Sequence, residues 1–314
     1  MKPSHSQERS KRAAGQGAAP GARTGVGCLV LVATPIGNLG DITARALEGL
    51  KSADLIACED SRVTAKLLQH AGIEKPLLAY HDHNAEMMRP KILARIAAGE
   101  RVALVSDAGT PLISDPGFKL VQAVVEAGLP VTMLPGASAP VMALALSGLP
   151  SDRFLFGGFL PAKSKARREA VAEAARAPVT LIFFETAPRL VESLRDLQAV
   201  LGDRRAAVAR ELTKLFEEVR RDRLAALIAH YDEAGPPRGE IVIVIGPPEE
   251  QEASQDDVDT LLRRALRSMS VKDAAAIVAA ATGTPKRRIP ARALPNRSLS
   301  FSTSTTASWR TGWI

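Results

Sequence analysis

Ser106-Asp107-Ala108-Gly109-Thr110-Pro111-Leu112-Ile113-Ser114-Asp115-Pro116-Gly117 follows directly on the apolar run Val102-Ala103-Leu104-Val105. Apolar residues then recur at helical spacing over 119–127. A short apolar run, a loop dense in Gly, Pro and Asp, and an amphipathic stretch make up a strand-loop-helix unit, the repeating part of an α/β protein.

The same unit recurs on both sides. Upstream and downstream, strands are expected at 29–33, 55–58, 77–80, 102–106 and 131–134, with helices at 42–52, 63–71, 90–98, 119–127 and 138–146 between and after them. This alternation predicts a largely parallel sheet. Asp41 is placed to cap the first helix, and Gly72, Gly99 and Gly128 are placed to end the second, third and fourth. Near Gly148-Leu149-Pro150 the rhythm pauses, and a second block follows with strands at 154–156, 180–185, 206–210 and 240–245. A hairpin-like stretch at 216–221 makes that second sheet mixed. The expected organisation is therefore a basic tail (1–27), an α/β domain (28–150), a second α/β domain (151–248) and a small helical domain (255–293), with an unpatterned Ser/Thr-rich tail over 294–314. The polar, acidic run 249–259 reads as a linker, and 258–281 as one helical segment.

Composition narrows the class. No apolar run approaches the roughly 20 residues that span a bilayer, and residues 1–27 lack the apolar core of a secretory signal. Cys28 and Cys58 sit inside apolar runs and read as buried thiols in a reducing cytoplasm rather than as a disulfide. The net charge of +7 invites a nucleic-acid partner, but residues 1–27 carry +4 and residues 294–314 carry +2, leaving +1 for 28–293. Any RNA argument must rest on local clusters.

Four Gly/Pro loops follow strands, at 34–38, 107–111, 115–117 and 135–138, and three of them should line one cleft. None has the spacing of a dinucleotide fingerprint or a phosphate cradle, which argues against a nucleoside triphosphate. Asp107 at a strand end could meet a cation or ribose hydroxyls, and Ser138 at a helix start could sit by a carboxylate. An amino-acid sulfonium nucleoside carries all of those groups.

The stretches 33–43, 58–64 and 106–117, with Gly148-Leu149-Pro150-Ser151-Asp152-Arg153-Phe154, Phe184-Glu185-Thr186-Ala187-Pro188-Arg189 and Ala209-Arg210-Glu211-Leu212-Thr213-Lys214, resemble the ribosomal RNA small subunit methyltransferase I family of the tetrapyrrole methylase superfamily. The resemblance implies a two-domain methylase fold that binds S-adenosylmethionine, acts as a homodimer and methylates the ribose 2′-hydroxyl of a cytidine in 16S rRNA. It places Asp107, Gly109, Thr110 and Pro111 beside the cofactor, Pro35 below it, and Ser138 and Ala139 at its methionine end. Glu185, Ala209, Arg210 and Glu211 are the contributions it implies from the second block. The chain departs from the family pattern at Ala137, Ala187-Pro188 and Phe216, and at Pro290, which weakens the last expected helix; the unrelated tail beyond it reads as the product of a frameshift.

For the transfer itself, Glu59 and Asp60 beside Arg62 are the first candidates to take or polarise the hydroxyl proton, followed by His81 and His83. A solvated ion-pair cap on the next helix is an equally good reading of Glu59, Asp60 and Arg62. His81 and His83 lack a third ligand, so no metal is expected. Lys163, Lys165, Arg167 and Arg168 form the leading phosphate-binding cluster; Arg220, Arg221, Arg223 and 286–288 are further candidates. Few aromatics lie near these clusters in sequence, which disfavours base stacking as the main mode. Two other functions fit the same scaffold: methylation of a tetrapyrrole or a protein, and a non-catalytic ribosome assembly factor.

Overall fold

The computed structural model describes residues 27–249, 255–282 and 289. They fall into two compact units, one within Met1–Pro248 and one within Glu249–Ile314.

The first unit holds two five-stranded sheets. In the first, β1 (Cys28–Val32), β2 (Leu55–Cys58), β3 (Leu77–Ala79), β4 (Arg101–Val105) and β5 (Val131–Leu134) lie in the order β3-β2-β4-β1-β5, all parallel. The helices are α1 (Ala44–Ser52), α2 (Ser61–His70), α3 (Ala85–Ala97), α4 (Phe118–Glu126) and α5 (Ala139–Ser147). Strand periodicity sorts the core into two faces. Val30 and Val32 pack with Ala46, Leu50 and Leu68 of α1 and α2, whereas Leu29 and Leu31 pack with Ile92, Ile96, Leu120 and Val124 of α3 and α4.

The second sheet comprises β6 (Phe154–Phe159), β7 (Thr180–Thr186), β8 (Arg205–Arg210), β9 (Glu218–Arg223) and β10 (Glu240–Ile245), in the order β6-β7-β10-β8-β9. Only β6 and β7 are parallel; the other pairings are antiparallel, so the sheet is mixed. One face is covered by α6 (Ser164–Ala174), α7 (Leu190–Leu201) and α8 (Leu224–Ala234). The other face receives α5, whose Ala143 and Leu144 pack with Ile182, Ala207, Ala209, Val242 and Val244. The face that α5 turns to this sheet is apolar, as packing on a sheet requires.

The second unit contains α9 (Gln255–Ala265) and α10 (Val271–Thr282), packed through Val258, Leu262, Ala274, Ala275 and Val278.

Three local expectations are corrected. Asp41 does not cap α1: it ends a 3-10 turn, Leu39–Asp41, and Thr43 accepts from the backbone of Ala46 at 3.1 Å instead. The third helix starts five residues before Pro90, which it accommodates on an exposed face. The helical segment over 258–281 consists of two helices, with Ser270 capping α10 through the backbone and side chain of Asp273. The linker is shortened by α9, which begins at Gln255; its residues 250–254 lie outside the described residues, as do the break at Pro290 and both tails over 1–26 and 291–314.

Candidate functional site

Strand order decides where the loops meet. Because β2, β4, β1 and β5 are consecutive neighbours, the segments leaving their carboxyl ends gather along one edge of the sheet. Backbone bonds then lace them together. Thr34 and Gly109 exchange bonds of 2.9 and 3.1 Å across an isolated bridge, and Thr110 Oγ1 donates to the carbonyl of Ala137 at 2.9 Å. Gly109 has φ +81°, and a Cβ there would come 3.1 Å from Ile36 Cγ2, so the bridge favours glycine on both counts.

Above this lacing lies a cavity of about 290 Å³, near the lower end of the size range of small-molecule sites. Ile36, Gly109, Thr110, Asp115, Ser138 and Ala139 form its wall on the first sheet. Phe159, Phe184, Glu185, Leu212, Gly239 and Val242 close it from the second. Ser138 stands at the N-cap of α5 without a side-chain capping bond, so the N–H of Ala139, a residue of the wall, is not claimed by a cap; Pro140 beside it has none.

Gly109, Thr110, Ser138, Ala139 and Glu185, which the family resemblance assigns to the cofactor, stand in this wall. Pro35 and Pro111 are buried next to wall residues Ile36 and Thr110. Asp107 is one step back, accepting the backbone N–H of Asp60 at 3.0 Å. Ala209 is fully buried in the apolar cluster that contains the wall residues Leu212 and Val242.

Two residues need correction. With Ala209 on the face of α5, strand alternation turns Arg210 to the opposite face, where it pairs with its cross-strand neighbour Glu218 at 2.7 Å. Glu211 also stands outside the cavity wall, its Oε1 accepting from Lys214 at 2.9 Å and filling the space a Cβ on Gly239 would need. Both residues border a second, more open concavity. Glu185 has a fully buried carboxylate, spent on Thr186 N, Ser193 Oγ and Arg189. It therefore shapes the wall rather than presenting a free charge.

An acidic cluster flanks the cavity. Burial pushes the Glu59 carboxyl above its ordinary range, helped by repulsion from Asp107, Asp115, Asp82 and Asp60. Asp115 is also raised, mainly by burial, although a bond from Ser106 opposes this and Asp107 adds to it. Asp60 behaves in the opposite way: the side-chain and backbone bonds from Arg62 hold it down at about 2. It caps α2, while Arg62 is 87% exposed and pairs with it at 2.6 Å. Asp60 and Arg62 are therefore a helix cap, correcting their reading as reaction groups, and Glu59 alone of the three retains the properties of a base.

The basic cluster divides as well. Lys163 and Lys165 are exposed, but Arg167 is 1% exposed and bonds Asp196 and the carbonyls of Pro161 and Ala162. Helical spacing turns Arg167 inward, which removes it from any phosphate site. Arg168 stays half-exposed while bonding Asp196 at 2.5 Å. Arg221 donates to the carbonyl of Leu146, and Arg220 pairs with Glu218. Residues 286–288 lie outside the described residues. Cys58 is buried and Cys28 partly so, both unpaired. His81 and His83 meet edge to face at 5.9 Å, and among the described residues no three His, Cys, Asp or Glu converge as metal ligands.

Sequence reasoning missed Asp115, Phe159, Phe184 and 239–242 as wall residues. Asp115 lay within the decisive loop; the others enter from strands of a different sheet, and no spacing announces that.

Residues 28–228 match the family model described as Tetrapyrrole (Corrin/Porphyrin) Methylases, and residues 252–297 match the RsmI C-terminal HTH domain. Proteins named "Ribosomal RNA small subunit methyltransferase I" are similar over most of the chain. That of Erythrobacter litoralis (strain HTCC2594) is 55% identical, covering 85% of this chain and 94% of the relative. That of Mesorhizobium japonicum is 50% identical, covering 85% and 91%, and that of Escherichia coli O157:H7 is 48% identical, covering 84% and 93%. Among solved structures, a diphthine synthase (TM-score 0.56, 20% identity, 70% of this chain and 90% of that one) and a cobalt precorrin-4 methyltransferase (TM-score 0.54, 17%, 73% and 98%) share the fold.

Proposed function

This chain belongs to the ribosomal RNA small subunit methyltransferase I family of the tetrapyrrole methylases, and on that premise we propose that it uses S-adenosylmethionine to methylate the 2′-hydroxyl of a cytidine ribose in 16S rRNA. The observation that carries the reading is a cavity walled by Gly109, Thr110, Asp115, Ser138 and Ala139 in a chain 50% and 55% identical to proteins named ribosomal RNA small subunit methyltransferase I.

The donor set fits that cofactor group by group. Ile36, Leu212 and Val242 offer apolar wall to a nucleobase. The uncapped start of α5 at Ser138 and Ala139 offers N–H groups to a carboxylate. Asp115 supplies negative charge to a sulfonium. When bound, the cofactor supplies an electrophilic methyl group.

The chain's own part is alignment and proton acceptance. The laced loops hold the wall rigid, so that reactants are positioned before reaction and their lost freedom is already accounted for. Glu59, with its affinity for a proton raised by burial and by its acidic neighbours, accepts the proton that the ribose hydroxyl gives up. Lys163 and Lys165, exposed at the start of α6, meet the phosphates. A homodimer in the cytoplasm, implied by the family resemblance, belongs to the same proposal; no described helix is long and apolar enough to cross a membrane.

The test is transfer of labelled methyl groups to small ribosomal subunits from a strain lacking this activity, followed by mapping of 2′-O-methyl stops. Label at a cytidine ribose is the expected result. Label on a tetrapyrrole but not on subunits would transfer the activity to the other branch of the superfamily. Binding to subunits without label would make the chain an assembly factor.

A further inference from the structure

We propose that Phe159 is the platform on which the base of the methylated nucleotide stacks, an assignment that rests on the rRNA-methylation reading above. The chain has only 8 Phe, 2 Tyr and 2 Trp, yet three phenylalanines converge here. Phe184 meets Phe156 at 5.0 Å and Phe159 at 5.2 Å between ring centroids.

A break in strand register builds this arrangement. β6 pairs with β7 through Phe156 opposite Ile182, then resumes with Phe159 opposite Phe184, so β6 carries one extra residue. Without it, alternation would put Phe159 on the same face as Leu155, which packs against the core beneath α6, α7 and α8. The bulge turns Phe159 to the face of Phe156 and the cavity instead. Glycines make the bulge feasible. A Cβ on Gly157 would come 2.4 Å from the Phe183 ring, and Gly158 has φ +66°.

The resulting ring lines the cavity yet is 55% exposed. The bulge that carries it also approaches the loop after β4: a Cβ on Gly158 would lie 3.4 Å from Oγ of Ser114, and Ser114, Asp115 and Phe159 all line the cavity. Four residues beyond Phe159 comes the exposed Lys163. An exposed aromatic ring thus shares the cavity wall with Asp115 and precedes the exposed lysines in the chain, an aromatic that sequence proximity to the basic clusters did not single out.

The chemistry calls for such a face. A ribose hydroxyl in folded RNA reaches a recessed site only when its nucleotide is splayed out, and the base then loses its neighbours in the stack. An aromatic ring replaces them without demanding hydrogen bonds.

The experiment compares the unaltered chain with Phe159→Ala, Phe159→Leu and Phe159→Tyr, measuring methyl transfer to small subunits and calorimetric binding of S-adenosylhomocysteine. Phe159→Ala and Phe159→Leu should each lower kcat/KM by about 10- to 100-fold with cofactor-product binding unchanged, and Phe159→Tyr should restore it. Leucine keeps the bulk without the π face, so full activity of Phe159→Leu overturns the assignment. So does a parallel loss of S-adenosylhomocysteine binding, which would give the ring to the cofactor. No transfer by the unaltered chain would overturn the functional reading itself and the stacking role with it; the three variants separate that outcome from a failure of stacking alone.

Discussion

The backbone N–H of Asp60 donates to Oδ1 of Asp107 at 3.0 Å, tying the end of β2 to the loop that follows β4. One carboxylate thus anchors the segment bearing Glu59 beside the loop bearing Gly109, Thr110 and Asp115.

Asp107→Ala should therefore loosen both sides of the site. We expect S-adenosylhomocysteine to bind at least about tenfold more weakly by calorimetry, since one partly buried hydrogen bond and its ordering effect are lost. Asp107→Asn keeps an oxygen acceptor and should bind more tightly than the alanine variant. Undiminished binding in Asp107→Ala would remove Asp107 from the cofactor site.

Glu59→Gln should lower kcat by about 10²- to 10⁴-fold while leaving S-adenosylhomocysteine affinity unchanged. In the unaltered chain the rate should rise with pH through the elevated Glu59 value, and that limb should vanish in the variant. The stability sign runs the other way. A carboxyl whose folded value is raised favours folding only while protonated, so its contribution disappears as pH climbs from the ordinary carboxylate range through the folded value. At neutral pH, Glu59→Gln should consequently melt no lower than the unaltered chain. A variant that is both inactive and less stable would point to a structural role.

Asp60→Ala should behave as loss of a cap. Its backbone N–H still reaches Asp107, so activity should suffer far less than in Glu59→Gln, while the melting temperature at pH 7 drops by about 2–4 °C. Because Asp60 is held down at about 2 from 3.8, its stabilisation is complete above pH 4 and fades as pH falls toward 2. The gap in melting temperature should close over that window in an acid series.

Arg167 and the neighbouring lysines should separate stability from RNA binding. Burial pushes Asp196 up, but bonds from Arg168, Ser164 and Arg167 outweigh it and hold the carboxyl below its usual range. Arg167→Ala removes one of the three groups that hold this buried carboxylate, leaving Arg168 and Ser164, and should cost about 1.5–3 kcal/mol in denaturant unfolding. The double change Lys163→Ala with Lys165→Ala should leave unfolding unaffected and flatten the salt dependence of rRNA binding by about two counterions. An unchanged salt slope would place the phosphate contacts elsewhere.

Much of the fold was legible. The strands over 55–58 and 131–134 match their expected bounds, and Thr180–Thr186 runs one residue past its own, because short apolar runs closed by charged residues, as at Asp54 and Glu59, or by Pro, as at Pro130 and Pro135, admit few alternatives. Caps were harder. Asp41 and Thr43 are both good cap residues two positions apart, and only the 3-10 turn before α1 selects between them. Gly109, Thr110 and Ser138 were legible as residues of a cavity wall because ligand-facing loops follow the carboxyl ends of parallel strands. Phe159 was not, since it reaches its face through a bulge that alternation cannot foresee.

By itself, the sequence determined the α/β class, the parallel first sheet, the Gly-rich loops of the cavity and the family, for these depend on local periodicity and on residue types in fixed order. Tertiary structure alone decided which charges are free. Arg167 and Lys165 sit two residues apart, yet one is sealed against Asp196 and the other is exposed. Glu59 and Asp60 are adjacent carboxylates, one raised by burial and acidic neighbours, the other lowered by Arg62. Burial and partners set the charge state of a side chain; Arg62 is a local partner of Asp60, but the burial and acidic neighbours of Glu59 and the Asp196 partner of Arg167 come largely from segments distant in sequence.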